Sequence, residues 1–563
     1  MNSEQRADVP RAWPTWPSSP GIPLSLHEWR VEAGPRSTIL RNTVIVAGAF
    51  VGSRLLGLAR DVVIANRFGT SGETSAYVAA FRIPDLLFLV VMAGSFGSAF
   101  IPVFSRFLVR DEEDRAWDLA SAVINAALLA VTMGAALTFV FAGPIVRGIV
   151  APRLSAEYQA LTIDLMRLLL LSPVLLGLGI AAKGILEARD RFLLPALAPL
   201  VYNLAIIVAA IALTPSLGIH GLAVGVVMGA AGHAAIQVPG LVRAGMRYRP
   251  IFSPRTPGLA EVWRLLLPRV IGQAAFQVNF IVVTSLASGL GNDDIAALNY
   301  AWQLLMLPHG VLALSISTVI FPTMARLFGE GRHDELRATF GRALRPLLLL
   351  SLPAAVGLFV FRQAIVQTIF QSGAFSAAST ALVVAPLAIF AVGLVSYALV
   401  EILTRAFYAM HDTKTPVIAG VATIALNIVV GWLSVDRFGL AGLAFGLTFS
   451  TTIEGIILLA VLGRRLGAPP RSAWRWLTRV VAATTAMGVV ATFLAPRITM
   501  ATEPGIAPRF AQLLLFASAL AVIGASYLVA GQLLRLPEID QAARQIRDRL
   551  VGGRRFLSRG RTE

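Results

Sequence analysis

Charged side chains inside apolar stretches are the residues of this sequence best suited to chemistry. One stretch carries Arg54, Arg60 and Asp61, and the next contains Arg82 and Asp85. Arg54 and Asp61 are seven residues apart, so two helical turns bring them near one face, with Arg60 about 100° away from Asp61. The three arginines outnumber the two carboxylates. Excess positive charge in a wet cavity predicts an anionic ligand, and arginine grips phosphate through two parallel hydrogen bonds.

A structural role is the alternative interpretation of charges at membrane depth. A charged group at the centre of a span costs at least about 2.5–3.5 kcal/mol, and pairing or snorkelling toward a helix end reduces this cost. This interpretation suits two close pairs, Asp164 with Arg167 and Glu401 with Arg405. For Arg54, Arg60 and Arg82 we favour a role in lining a cavity that binds an anion.

Uncharged polar residues could complete such a cavity, although hydrogen bonds between helices would explain them equally well. His233 and His309 stand alone without partners at metal-ligand spacing, so a structural hydrogen bond is the favoured interpretation for both. No metal or cofactor is predicted, and a coupling ion stays open. The polar candidates are Ser53, Gln273, Gln277, Asn279, Asn299 and Gln303, with Arg269 close to Gln273.

The elements that must position these residues are membrane helices. Of the 563 residues, 56% are hydrophobic and only 14% are charged, whereas soluble chains carry about 25% charged residues. The short loops leave no room for a catalytic domain, and no nucleotide-binding or hydrolase motif occurs, so an enzyme is not expected. Fourteen stretches are long enough to cross a ~30 Å hydrocarbon core: 39–66, 76–104, 117–142, 160–182, 193–213, 219–241, 266–288, 297–325, 344–368, 379–404, 416–435, 438–463, 476–496 and 510–534.

The net charge of +17 follows from membrane topology more than from nucleic-acid binding. Between the bounds given above, the even-numbered loops hold 21 Lys and Arg residues and the odd-numbered loops hold 6. Positive residues collect on the cytoplasmic side, so both termini and the even loops should face the cytoplasm. Residues 1–38 form an N-terminal cytoplasmic tail and 536–563 a basic C-terminal one.

An internal repeat divides the chain into two halves. Residues 101–107 recur at 321–327, and residues 218–225 recur at 439–446, at offsets of 220 and 221. The unit spans six predicted helices, so both copies keep the same orientation and a substrate path should lie between them. We therefore expect an all-α bundle with an N-terminal lobe at 39–245, a C-terminal lobe at 259–465, and two added helices at 473–535.

Short motifs follow one another along the chain. The first predicted helix carries Ser53, Arg54, Leu56, Gly57, Arg60 and Asp61. Further motif residues are Phe81, Arg82, Pro84 and Asp85; Gly94 to Phe96 with Pro102; Ala198, Pro199 and Asn203; Gly310 and Val311; Phe370, Gln371, Gly373 and Phe375; and Asp412, Thr413, Thr415 and Pro416. From about residue 39 to 535, these motifs resemble the MviN/MurJ family of lipid II flippases, in the multidrug/oligosaccharidyl-lipid/polysaccharide exporter superfamily.

The resemblance implies a function as well as a fold. It implies translocation of the undecaprenyl-pyrophosphate-linked peptidoglycan precursor, lipid II, from the cytoplasmic to the periplasmic leaflet of the bacterial inner membrane by alternating access. The two added helices would form a groove for the lipid tail. The pyrophosphate would rest on Arg54, Arg60, Arg82 and Arg269, supported by Asp61, Asp85 and the polar residues above. Lipid-linked saccharide and membrane lipid are the expected partners, without nucleic acid, and a monomer is expected.

The chain departs from this family at several charged positions. Phe88 and Gln303 stand where the family usually has arginines, Met306 where it has a glutamate, and Ser75 where it has an aspartate. We hypothesise that Arg269 replaces the missing charge of helix eight. Three alternatives stay open: a flippase for another polyprenyl-linked saccharide, an ion-coupled small-molecule antiporter, whose cavity should be acidic, and a scaffold without transport.

Overall fold

The computed structural model describes residues 36–89, 99–467, 471–503, 509–541 and 544, and these residues form helices joined by short loops. Two five-residue π-helical segments, Val146–Val150 and Gly310–Leu314, extend α5 and join α13 to α14. The helices are α1 Arg36–Phe68, α2 Gly72–Ala80, α3 Arg82–Phe88, α4 Ile101–Val109, α5 Glu113–Ile145, α6 Ala156–Leu169, α7 Leu171–Ala188, α8 Leu193–Ala212, α9 Thr214–Leu217, α10 Ile219–Ala235, α11 Val238–Arg243, α12 Leu259–Ala287, α13 Asp294–His309, α14 Ser315–Gly329, α15 His333–Val360, α16 Arg362–Ile369, α17 Ala377–Ala409, α18 Lys414–Leu466, α19 Arg471–Ala501 and α20 Arg509–Leu533.

Ten helical stretches in the described chain are long and apolar enough to cross a membrane. This confirms the all-α membrane fold, while the count of fourteen spans stays a prediction. The longest of these helices, α18, has 53 residues and a non-helical glycine at Gly439. The sequence places the break between two predicted spans, 416–435 and 438–463, beside this kink.

The two copies of the internal repeat share an unusual backbone geometry. Gly218 has φ 55° and ψ −141°, and Gly439 has φ 53° and ψ −134°. Such positive φ values favour glycine because it lacks a Cβ. Three residues later, a Cβ on Gly221 would lie 2.8 Å from the backbone of Leu213, and one on Gly442 would lie 2.5 Å from the carbonyl oxygen of Ser434. Both repeats therefore turn sharply and pack one helix backbone against another.

Helix contacts occur within two groups of helices, called here the N-lobe and the C-lobe, between these groups, and in the pair of helices that follows them. In the N-lobe (residues 36–243), α8 packs on α1 and α10, and α10 packs on α7. In the C-lobe (residues 259–466), α17 packs on α13, α15 and α18, and α12 packs on α18. The lobes meet where α2 contacts α13 and α3 contacts α12, while α19 and α20 pack on each other and on α15 and α16. The cleft between the lobes is the place where a substrate path could run.

The lobes interlock at one end of the bundle, which carries the odd-numbered loops and is called here the odd-loop end. The N–H of Ala374 donates to the carbonyl of Asn66 at 2.8 Å, and Asn66 Nδ2 donates to Ser372 Oγ at 3.0 Å. Thr70 Oγ1 bonds Ser379 Oγ at 2.9 Å. Gly69 and Gly373 permit this approach, because both have positive φ and a Cβ on either would lie within 2.5 Å of the other lobe's backbone.

We predict that Gly373→Ala opens the odd-loop end. The left-handed backbone costs a non-glycine residue about 1–3 kcal/mol, and the added Cβ would lie 2.4 Å from the carbonyl oxygen of Asn66. The chain contains no cysteine, so Asn66→Cys with Ser372→Cys gives an unambiguous cross-linking pair. Cross-linking should fall when Gly373→Ala is added. Gly357→Ala, at a helical glycine with open space around its Cβ position, should leave it unchanged; equal cross-linking in both variants would contradict the prediction.

Asp412 holds the two ends of α18 together at the opposite end of the bundle. Its carboxylate accepts from Thr415 N at 3.0 Å and Thr415 Oγ1 at 2.6 Å, and Arg465 lies 2.7 Å away. Burial raises the pKa of Asp412, but the bonds from Thr415 and the Arg465 charge outweigh burial, so the net pKa is lowered. A lowered pKa means that the folded state favours the ionised carboxylate.

The stabilisation from Asp412 should therefore depend on acidity. It should be complete above the ordinary aspartate pKa of about 3.9 and disappear as the pH falls through the lowered folded-state value. Asp412→Ala should cost about 1 kcal/mol at neutral pH, as for other lost N-terminal helix caps. Thermal unfolding in detergent should show wild type and variant converging at acid pH. The exposed Asp436 provides the control, and a constant difference at all pH values would refute this account.

Candidate functional site

A polar cavity of about 270 Å³ lies between the lobes. Helices α1, α2, α3 and α8 of the N-lobe and α13 of the C-lobe line it, since Arg60, Tyr77, Arg82, Tyr202 and Gln303 all face it. Asp61 and Asp85 line it as well. Six of the residues predicted from the sequence are therefore brought together, namely Arg60, Asp61, Arg82, Asp85, Asn299 and Gln303.

Arg60 is engaged in holding its own lobe together. Its Nε and Nη2 donate to Asp61 Oδ1 at 3.0 and 2.9 Å, and its Nη1 donates to Asn203 Oδ1 at 3.1 Å. Asn203 Nδ2 in turn donates to the carbonyl of Pro199 at 3.0 Å. This chain of bonds joins α1 to α8. Because neighbours already occupy its donors, Arg60 is poorly placed to give all of them to a ligand.

Arg82 has a different environment at the boundary of the two lobes. Its Nε donates to Thr284 Oγ1 of α12 at 2.7 Å, and its guanidinium lies 5.5 Å from the ring centre of Phe280. Among the described residues it makes no ion pair, although Asp85 lines the same cavity. Arg82 and Asn299 also line a second cavity of about 200 Å³ on the α12 side. Arg82 therefore joins the two cavities and retains charge for an anion.

Two buried polar atoms of α13 that lie near Arg82 have no hydrogen-bond partner in the described structure. Tyr300 Oη and Gln303 Oε1 are shielded from solvent and make no hydrogen bond within the described chain. Both residues line the cavity with Arg60 and Arg82. A buried polar group without a partner costs about 1–3 kcal/mol. A ligand that accepts from the tyrosine and donates to the glutamine would remove that cost.

Arg54 stands away from this cavity, on an exposed stretch of α1. Its guanidinium lies 5.4 Å from the centre of the Phe50 ring, and a Cβ built on Gly310 of the C-lobe would lie 3.5 Å from it. The charged pair predicted on α17 is present nearby, with Arg405 Nε 2.8 Å from Glu401 Oε1. Arg54 thus also reaches the C-lobe, at a second position along the cleft.

The remaining predicted residues have other surroundings. Asn279 is buried and accepts from Asn427 Nδ2 at 2.6 Å, which joins α12 to α18. Ser53 contributes its backbone carbonyl, 3.5 Å from Asn203 Nδ2. The side chains of Arg269 and Gln273 lie outside the described residues, and so does the segment 90–98 that follows α3. The replacement of a helix-eight charge by Arg269 therefore stays a hypothesis.

Sequence reasoning missed the tyrosines of the cavity. Tyr77, Tyr202 and Tyr300 surround the Arg60–Asp61 pair. One signal was available, because Tyr300 precedes Gln303 by three residues and so shares its helix face. For Tyr77 and Tyr202 no spacing rule relates them to Arg60, since the contact depends on how α2 and α8 pack against α1.

Two helical lobes around a charged, polar cleft define this protein as a membrane transporter. The solved structure of an inward-facing MATE family transporter of the MOP superfamily has a TM-score of 0.64 at 17% identity, covering 74% of this chain and 94% of that one. A structure described as "Lipid II flippase MurJ, inward closed conformation" has a TM-score of 0.71 at 23% identity, covering 87% and 99%. These likenesses show the shared fold.

Sequence comparison shows the family. The family described as "Lipid II flippase MurJ" matches residues 64–509. Lipid II flippase MurJ of Burkholderia cenocepacia is 30% identical over 460 residues, covering 79% of this chain and 88% of the relative. The probable lipid II flippase MurJ of Vibrio cholerae is 29% identical, covering 76% and 83%. The chain belongs to the lipid II flippase MurJ family. Arg54, Arg60 and Asp61 precede the matched range, so their roles rest on the geometry above.

A double-mutant cycle should show that Arg60 and Asp61 act as a structural pair. Removing one partner leaves a charge uncompensated and costs roughly 3–5 kcal/mol when the pair is fully buried. The two side chains keep 26% and 14% exposure. We therefore expect Arg60→Ala and Asp61→Ala each to lower the free energy of unfolding by about 3 kcal/mol or less. The double variant should be more stable than the sum of the single losses predicts. Strictly additive losses in thermal unfolding would exclude the pair as a stabilising unit.

Proposed function

We propose that this protein translocates lipid II, the polyprenyl-diphosphate-linked peptidoglycan precursor, across the bacterial cytoplasmic membrane by alternating access. Membership of the MurJ family supports the substrate. The observation that carries the mechanism is Arg82, which lies between both lobes and both cavities without an ion-paired carboxylate in the described structure. A guanidinium in this position can bind a phosphate with two N–H donors.

The division of work among the arginines follows from their partners. Arg82 and Arg54 are proposed to contact the diphosphate, because neither forms an ion pair among the described residues. Arg60 is proposed to position α1 through Asp61 and Asn203. Tyr300 and Gln303 would bind groups next to the phosphate. Neutral donors and acceptors would thus partly replace the charges that the family usually carries at Phe88 and Gln303.

The two competing functions explain fewer of the residues that line the cleft. An ion-coupled antiporter should present several acidic groups with free oxygens, whereas the cavity between the lobes is lined by two carboxylates in the described structure, Asp85 and Asp61, and Asp61 is paired with Arg60. A flippase for a different polyprenyl-linked saccharide would use the same arginines, so Tyr300 and Gln303, which are proposed to bind the groups next to the phosphate, would decide between the two substrates. Family membership favours lipid II over both.

The remaining expectations form one arrangement in the membrane. Both termini and the even-numbered loops are proposed to face the cytoplasm, so the odd-loop end is periplasmic. The interlocked Asn66–Ala374 contact then closes the periplasmic side. Residues 39–245 and 259–465 are proposed as the two lobes, 473–535 as the groove for the polyprenyl tail, and a single chain as the working unit.

Lipid II translocation by purified protein in liposomes tests this function. Arg82→Ala should lower the apparent substrate affinity, because a lost charge-assisted hydrogen bond costs roughly 1.5–3 kcal/mol, equivalent to about tenfold to somewhat above a hundredfold. Arg54→Ala should act in the same direction. Arg82→Lys, which keeps the charge without the planar fork, should fall between wild type and alanine.

The exposed Arg191, in the loop before α8, provides a matched control, since Arg191→Ala removes one positive charge away from the cleft. It should translocate lipid II as wild type does. Rescue of bacteria depleted of their own lipid II flippase should follow the same order of variants. Wild-type protein that neither translocates lipid II nor rescues such cells would disprove the proposed function, and full activity of Arg82→Ala would disprove the role of Arg82.

A further inference from the structure

His309 is a titratable residue of α13 that has no role in the translocation mechanism proposed above. It is the last residue of α13, and the π-helical segment Gly310–Leu314 begins directly after it. Such segments often occur at functional sites, because the wider turn changes the direction of the side chains around it. Arg54 of the N-lobe reaches Gly310, the residue after His309, whereas His233 is buried in the N-lobe against Gly179.

A positive charge from the other lobe lies beside it. The guanidinium atoms Cζ, Nη1 and Nη2 of Arg54 are all 3.5 Å from the position that a Cβ on Gly310 would take. The Arg54 side chain therefore lies against the backbone next to His309, across the boundary between the lobes. Its charge lies close enough to act on the imidazole, beside the larger effect of burial.

The C-lobe supplies the opposite charge to the imidazole. Glu401 of α17 faces His309, and the backbone of Tyr397 on the same helix hydrogen-bonds to it. Glu401 is held in place by Arg405 at 2.8 Å and by Ser317 Oγ at 3.4 Å. His309 thus has both a fixed carboxylate of its own lobe and an arginine of the other lobe in its surroundings.

The charged groups on the other packed helices are directed elsewhere. Arg345 of α15 lies 3.7 Å from Glu538, and Arg326 of α14 lies 4.0 Å from Glu330. Glu454 of α18 hydrogen-bonds to Thr423, and Glu73 of α2 lies at the odd-loop end. The charge state of His309 therefore depends on its burial, and also on Glu401, on Arg54 and on any anion that enters between the lobes.

We propose that His309 takes up a proton when the diphosphate of the substrate binds between it and Arg54, so that anion and proton bind cooperatively. This inference rests on the proposed function. Without an anion, an imidazolium beside the guanidinium would place two like charges together, which disfavours protonation. A phosphate between them removes that repulsion and accepts hydrogen bonds from both. Because linkage is reciprocal, a lower pH must then tighten diphosphate binding.

The proposal predicts a pH dependence that one substitution reduces. Imidazole changes its charge between about pH 5 and 8, so wild-type protein in liposomes at equal internal and external pH should be compared near pH 6 and pH 8. The apparent affinity for lipid II should be roughly fivefold or more tighter at the lower pH, within the usual range of coupling between sites. His309→Gln should lose the part of this dependence that comes from His309 and keep only the part that comes from titration of the diphosphate itself.

His233→Gln is the matched control, because it removes a buried membrane histidine that does not face the other lobe. It should keep the full pH dependence, including any part that comes from the titration of the diphosphate itself. His309→Ser provides a second variant if the glutamine variant is unstable, and thermal unfolding confirms that each variant is folded.

A second measurement does not require translocation. Purified protein in weak buffer should take up protons when a polyprenyl diphosphate without saccharide is added, and both His309 variants should lose this uptake. Wild-type protein that neither binds nor translocates at any pH would count against the proposed function. Wild-type activity together with unchanged pH dependence and proton uptake in the His309 variants would overturn the role of His309 alone.

Discussion

The ion pair of Arg60 with Asp61 is the interaction on which the arrangement of the N-lobe depends. Two charges at membrane depth are tolerated only when each neutralises the other and their remaining hydrogen-bonding positions are filled. Asp61 supplies the first condition, and Asn203 helps to supply the second by joining α1 to α8. With α1 fixed in this way, Arg54 lies two turns before Asp61 and reaches Gly310 of the other lobe.

The two lobes share a backbone plan but differ in polarity. The repeat glycines Gly218 and Gly439 adopt nearly the same conformation, yet the helix contacts beside them carry different chemistry. The N-lobe joins α1 to α8 through a charged network, whereas the C-lobe joins α12 to α18 through the uncharged amides of Asn279 and Asn427. A symmetric scaffold therefore carries an asymmetric site, with arginines on one side and mainly neutral donors and acceptors on the other.

The fold could be predicted from the sequence because its signals are long and redundant. Helix periods, loop charges and the repeat all indicate the same membrane bundle, and Gly439 breaks α18 near the predicted boundary. The candidate site could be predicted only in part. Arg82, Asp85 and Gln303 were identified as polar residues in apolar helices, and they do line one cavity. Thr284, the partner of Arg82, and the tyrosines Tyr77 and Tyr202 depend on the packing of distant helices, about which spacing along one helix says nothing.

The same limit applies to the roles of the arginines. In the sequence, Arg54, Arg60 and Arg82 are equivalent, since each is a cation in an apolar stretch. The structure distinguishes them by their neighbours, because Asp61 and Asn203 engage Arg60 while Arg82 and Arg54 face the C-lobe. An anion moving along the cleft would therefore meet two separate positive positions, one beside Thr284 and one beside His309. Separated charges suit transport better than one dense cluster, since each binds the anion weakly enough to release it to the next.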